Sequence, residues 1–411
     1  MLALDQFTHR LLTGGLPSPL RRAAEEAYSA FESMPMPDPS QEDWRYVEIP
    51  EEPSQFAIPE APGAVATPSA VESAFGDLAG RADIVDGHVT GIAGPNLALL
   101  AEAGEAEAFE LRAPADRFAA AAAAFGGSGV VAFAAKGDVV EQPLFVSMEV
   151  ATPDSVSVPR LLVSAAEASA LSVVVEQRSA DDLAALVLPD IAVVAGRAAR
   201  VSVTVVQTWG DATVAVGRHH LGAGRDGFVE LAEAGLGGAF SRLHLTVDLA
   251  GRGSGARILG VYFGDAEQTL DYRYFMNHQG PDTTSEMFLK GAVAGDARSV
   301  FTGLIRIEPE GQGSNAHQTN RNLVLSDDAE AHSVPNLEIL ANDVRCGHGS
   351  AVGPLDEEQR YYLMSRGLPE PRADRLQVLG FFQEALLRFP RQELVPILRA
   401  AAMAKYDEVV A

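Results

Sequence analysis

Cys346 and His348 stand two positions apart in Asn342-Asp343-Val344-Arg345-Cys346-Gly347-His348-Gly349, and Cys346 is the only cysteine among 411 residues. A soft thiolate and an imidazole this close suit zinc, copper or iron–sulfur chemistry. A cluster normally takes four protein ligands, so one cysteine does not hold one by itself. Either the pair is structural, or a second chain completes the site. His317 in Ala316-His317-Gln318-Thr319-Asn320 and His332 in Ala331-His332-Ser333-Val334-Pro335 precede the pair along the chain. His219, His220, His244 and His278 are scattered among strand-like runs, where surface or satisfied core roles are the ordinary reading. Asp271, Asp282 and Glu286 are the acids available for a paired-carboxylate glycosidase, but their spacing selects no pair.

Other chemistries lack their signatures. No phosphate loop ending in Gly-Lys-Ser/Thr occurs, so ATP hydrolysis is not expected of this chain. Gly251-Arg252-Gly253-Ser254-Gly255 lies between two strand-like runs, without the strand-to-helix setting of a dinucleotide fingerprint. Neither a Gly-x-Ser-x-Gly elbow nor His-Glu-x-x-His is present. These absences leave no residue with an assigned catalytic role.

Composition narrows the partners. Hydrophobic residues make up 47% and charged residues 21%, a globular balance. The formal net charge of −25 argues against nucleic acid and anionic membrane surfaces as partners. A lone cysteine excludes an internal disulfide and suits a reducing compartment. The start Met1-Leu2-Ala3-Leu4-Asp5 lacks the basic residues and apolar run of a signal peptide, and the Ala/Val-rich stretches are broken by charges and glycines. The expected location is cytoplasmic.

Three regions must position the candidate residues. Residues 1–125 read as mainly helical. Arg21 to Tyr28 favours helix, prolines between Pro35 and Pro62 mark an irregular connector, and an alanine run ends at Phe125 before Gly126-Gly127. Residues 126–353 change period. Val201, Val203 and Val205 alternate with polar residues, as do Leu243, Leu245, Val247 and Leu249, and later Leu337 and Ile339. Many short period-two runs without crossover helices predict a parallel β-helix rather than a sandwich. Small residues such as Ala316, Ala329, Ala331 and Ala341 would stack inside, with Asn320, Asn322, Ser326 and Asp327 at polar corners. No fixed period emerges. Leu337 to Val344 reads as the last strand, whose free edge would pair with a second chain. Residues 354–411 read as a helical subdomain. Asp356 is its first N-cap with Gln359 three positions on, and Gly367 and Pro369 end that helix. Apolar stripes follow at Leu376, Leu379, Phe382, Leu386 and Phe389, then at Leu394, Ile397, Leu398 and Ala401, most of them expected to pack on one another.

Three passages resemble the SufD subunits of the SufBCD iron–sulfur cluster assembly machine, members of the SufB/SufD family. The first is Asp271-Tyr272-Arg273-Tyr274 with Asn277-His278. The second runs from Ser299 to Asn322. The third and most specific joins His332-Ser333-Val334-Pro335-Asn336-Leu337-Glu338-Ile339 to Asp343-Val344-Arg345-Cys346-Gly347-His348-Gly349, Val352-Gly353 and the Tyr361-to-Gly367 helix. Trp44-Arg45-Tyr46 is similar to the family as well, and the strong likeness spans roughly residues 260 to 370.

The resemblance implies a mainly β protein: a right-handed parallel β-helix flanked by N- and C-terminal helical regions. It implies a scaffold subunit without turnover of its own, a SufB-like partner, and a SufC-like ATPase bound to the C-terminal helices. It also implies a transient iron–sulfur cluster shared at the subunit interface and held by neither chain alone. The matching ligand is His348, with Cys346 beside it as the less secure one. A SufB-like scaffold, or a homodimer of the isolated chain, is the alternative within the family. A carbohydrate-active β-helix enzyme is the alternative from another class, against which the aromatic content of 7% counts.

Overall fold

The computed structural model describes residues 1–65, 69–102 and 113–409. The period-two runs form a β-solenoid of about eight turns, in which successive strands alternate between two sheets. One sheet is ten-stranded and ends in Gly255–Gly264, Thr284–Val293, Asn315–Val324 and Arg345–Gly353. The other is eleven-stranded and ends in Phe240–Leu249, Thr269–His278, Arg298–Ile307 and Glu330–Ile339. The strands from Val130 onward pair with one another in parallel. Register partners lie between 26 positions apart, as for Val214 and Phe240, and 32 apart, as for Arg298 and Glu330. That drift in coil length hides the repeat from a search for one fixed period.

Tight corners set the coil. Ala168, Ala198, Asp226, Gly253, Asp282 and Gly313 occupy successive coils at one corner, each with positive φ. A non-glycine residue rarely takes this conformation, and alanine does so at a cost of about 1 kcal/mol. The stacked strands on either side over-determine it. Asn320 and Asn322, expected at corners, instead lie inside the strand Asn315–Val324 and are buried. They can be buried because they hydrogen-bond to each other and to Tyr262.

The alternation expected from Val201, Val203, Val205 and the Leu243–Leu249 series turns those side chains into one core between the sheets. The outer faces are covered by helices. Trp44, Phe118 and Phe125 pack with Val216, Phe240 and Val300 on the outside of the eleven-stranded sheet. Asp116 caps the helix Arg117–Phe125 by accepting from the Ala119 N–H at 2.8 Å. The strands Gly80–Val85, His88–Ala93 and Leu97–Leu99 extend both sheets into the region read as mainly helical. Their alternation is short and interrupted by Gly87, Gly91 and Gly94, which weakened the period-two signal.

At the other end, Asp356 caps Glu357–Ser365, accepting from the N–H groups of Glu358 and Gln359. Gly367 follows with φ +92°. The stripes of Glu370–Leu386 and Val395–Val409 pack chiefly on the outer face of the ten-stranded sheet, where Phe382 meets Phe263 at 6.0 Å between centroids. Among the described residues no helix is long and apolar enough to cross a membrane.

Candidate functional site at the open end of the solenoid

Cys346 and His348 lie on the last strand, Arg345–Gly353. The sequence placed the last strand at Leu337 to Val344. The chain turns after Ile339 and makes one further strand, so the pair sits on the terminal strand rather than beyond it. This strand pairs on one side only, with Ala316 opposite Cys346, Gln318 opposite His348 and Asn320 opposite Ser350. Glu330–Ile339 likewise ends the other sheet. Both terminal edges therefore lie at one end of the solenoid, with their outer backbone groups unpaired by any strand among the described residues.

The pleat determines which way the pair faces. Ala316, Gln318, Asn320 and Asn322 are the buried residues of the neighbouring strand, so their register partners Cys346, His348, Ser350 and Val352 share the inner face. Ser350 confirms this by donating to the Ser333 hydroxyl of the opposite sheet at 2.7 Å. With no further coil above, that inner face opens to solvent. Cys346 is half-buried against the core, while His348 is exposed. Burial raises the Cys346 thiol pKa, opposed by the Gly347 backbone N–H, so the thiol holds its proton more tightly than a free cysteine. Exposed apolar side chains border this end: Ile339, Leu340 and Val352 are 41%, 54% and 46% accessible.

The remaining candidates do not join the pair. His317 lies on the outer face, 3.5 Å from where a Cβ on Gly347 would stand. His332 stacks on Tyr46 at 5.5 Å, on the outside of the other sheet. His219 and His278 are buried structural residues. Burial holds both imidazoles down at about 4, and His278 bonds to the hydroxyls of Thr283 and Ser285. His220 pairs with Asp248 at 2.8 Å. His244 stacks on Phe275 at 4.9 Å. The acids proposed for glycoside chemistry are separated: Asp271 is buried between Arg242 and Arg273, Glu286 pairs with Arg388, and Asp282 is exposed beside Arg252. Among the described residues no three His, Cys, Asp or Glu side chains converge on a metal-sized site.

Sequence reasoning missed a file of polar side chains inside the solenoid. The Tyr262 hydroxyl donates to Asn322 Oδ1 at 2.5 Å and accepts from Asn320 Nδ2 at 3.0 Å. Asn320 Oδ1 accepts from Ser333 at 2.7 Å, and Ser333 meets Ser350 at the open end. Gln318 lies beside this file, fully buried, with neither amide atom partnered. The signal was available: 318, 320 and 322 are polar at the period of an inward face, where the preceding coils are apolar.

The comparisons with known proteins identify the family. Residues 148–381 match the family model described as SUF system FeS cluster assembly, SufBD core domain. An iron–sulfur cluster assembly SufBD family protein of Mycobacterium bovis is 35% identical over 296 residues, covering 70% of this chain and 74% of that protein. The iron–sulfur cluster assembly protein SufD of Escherichia coli is 34% identical over 149 residues, 36% of this chain and 35% of its own. SufD of Bacillus subtilis is 32% identical over 190 residues, 45% of this chain and 44% of its own. The chain belongs to the SufBD family of iron–sulfur cluster assembly proteins, which sets aside the carbohydrate-active reading.

Proposed function

We propose that this chain is a SufD-type scaffold subunit that joins a SufB-like subunit through the open end of its solenoid and supplies His348, with Cys346 beside it, to a nascent iron–sulfur cluster at that junction. The observation that carries the reading is the coincidence at one end of two unpaired strand edges, an exposed apolar border and an exposed imidazole next to the only thiol. A second solenoid adding its own terminal strands would continue both sheets through backbone hydrogen bonds. The cluster is cargo: it is assembled there and passed on. His348 would bind iron as neutral imidazole and Cys346, after losing its proton, as thiolate. Two ligands from one chain leave the set incomplete until the partner contributes the rest.

The helices after Leu355 are the proposed seat of a SufC-like ATPase. Most of their apolar residues are spent on the sheet, but Tyr361, Tyr362, Met364 and Leu376 remain exposed. Light scattering on a mixture with a SufB-like subunit tests the pairing. A one-to-one complex is expected, weakened at least tenfold by Ile339→Glu with Val352→Glu. A chain that stays at its monomer mass of 43.4 kDa in the mixture contradicts it. A species of twice that mass in the absence of a partner supports the homodimer instead.

A further inference from the structure

A cavity of about 130 Å³ lies between the helix Arg117–Phe125 and the outer face of the eleven-stranded sheet, whereas the open-end pair lies on the inner face of the ten-stranded sheet. Its wall carries donors in excess of acceptors. The His244 imidazole and the Thr246 hydroxyl line it, and among the described residues neither has a hydrogen-bond partner. Arg218 and Arg242 line it too. Arg218 spends Nε and Nη2 on Asp190, leaving Nη1 unpartnered, while Arg242 reaches the Asp43 carbonyl and Asp271 through Nη1 alone.

The acids in the wall are already engaged. Asp190 lies between Arg160 and Arg218 on three adjacent coils and accepts from both. Asp116 caps the helix through the Ala119 N–H, and burial pushes its carboxyl up against the opposing pull of that N–H, Arg242 and Arg218. Burial and the nearby Arg242 hold the His244 imidazole at about 4, so it offers one N–H from a neutral ring near pH 7. Two guanidinium groups exclude a metal cation. Unpartnered donors in a confined space disfavour an apolar guest, because each would lose hydrogen bonds to water without replacement.

We propose that this cavity is a binding site for a small tetrahedral oxyanion, of the class of inorganic phosphate or sulfate, held by Arg218, Arg242, His244 and Thr246. Arginine forks suit such oxygens, and the hydroxyl and imidazole supply directed neutral bonds. The anion joins the N-terminal helix layer to the sheet, so its binding favours the folded state by mass action.

The test is titration of the full chain with inorganic phosphate, and separately with sulfate, at an ionic strength fixed with chloride. Melting temperature and calorimetric heat are followed. A saturable rise in melting temperature is expected from one or both oxyanions and not from chloride. His244→Phe with Thr246→Val keeps the stack on Phe275 and the side-chain volumes, and should weaken affinity at least tenfold. Arg218→Gln should do the same and serves if the double variant does not fold. A wild-type chain with no saturable response, its cavity holding water only, overturns the proposal. So does undiminished affinity in the variants.

Discussion

Gln318 and His348 are register partners on adjacent strands and share the inward face, yet Gln318 is sealed from solvent and His348 is exposed. The difference is one missing coil. Whatever adds a coil there would bury His348 as Gln318 is buried now. Gln318 meanwhile keeps both amide atoms unpartnered, pressed against Gly303, where an added Cβ would stand 2.5 Å from the amide. A buried amide without partners costs roughly 1–3 kcal/mol. Gln318→Met, close in shape and apolar, should therefore raise stability or leave it level in urea unfolding. A loss beyond about 1 kcal/mol would show that Gln318 has a partner after all.

Asp271 holds two buried cations at once. Arg242 and Arg273 both pair with it, and Arg242 also lies 3.8 Å under the ring of Trp44. Asp271→Asn leaves two buried guanidinium groups without their counter-charge. Losing one member of such a cluster typically costs about 3–5 kcal/mol. The variant should unfold at markedly lower denaturant, with a looser N-terminal connector seen as faster hydrogen exchange around Trp44. A shift below about 1 kcal/mol would mean solvent already reaches these charges.

Glu233 sets a pH dependence. Burial lifts its carboxyl from 4.5 to about 7, and the Tyr274 hydroxyl donates to it at 3.0 Å. Between those values the folded chain holds a proton that the unfolded chain releases, so this group lowers stability as pH rises through the window. Glu233→Gln removes that slope. Relative to the wild type, the variant should gain up to about 3 kcal/mol between pH 4 and pH 8. Parallel stability curves for the two proteins would contradict the assignment.

The C-terminal helices need point changes rather than truncation. Phe263, Phe288 and Leu259 on the outer sheet face are covered by Phe382, Leu386 and their neighbours. Removing residues from 370 onward would expose that face and cause aggregation before any binding is measured. Tyr361 and Tyr362 are 76% and 57% accessible and carry no such burden. Tyr361→Ala with Tyr362→Ala should change stability by less than about 0.5 kcal/mol. The same change should weaken capture of a SufC-like ATPase at least tenfold in a pull-down or calorimetric titration. Undiminished capture would move the ATPase seat elsewhere.

Much of this was legible because inward faces repeat every second residue: Val201 to Val205 and Leu243 to Leu249 announced strands, and Asp356 and Gly367 announced a helix between them. The lone Cys346 beside His348 marked a candidate pair, and the fold places both on the terminal strand. Stacking order was not legible. Coils of unequal length hide the register, so Asn320 and Asn322 read as corners, and Arg160, Asp190 and Arg218 read as unrelated charges although they stack on adjacent coils. Left-handed Ala168 and Ala198 carry no residue-type signal for a corner, since only the stacked strands force that geometry. Stacking one coil apart would bring His317 towards Cys346, but its register partner is Gly347, and odd and even positions face opposite sides of a strand.

Cluster loading of the reconstituted complex tests the central claim most directly. The chain and its His348→Ala variant would each be combined with a SufB-like subunit and a SufC-like ATPase, supplied with iron and sulfide without oxygen, and assayed for bound iron and the visible absorbance of the cluster. The expected result is a His348→Ala complex of unchanged size and stability that retains at most a tenth of the wild-type iron–sulfur content. Wild-type loading in an intact His348→Ala complex would contradict the assignment of His348 as a ligand at the junction.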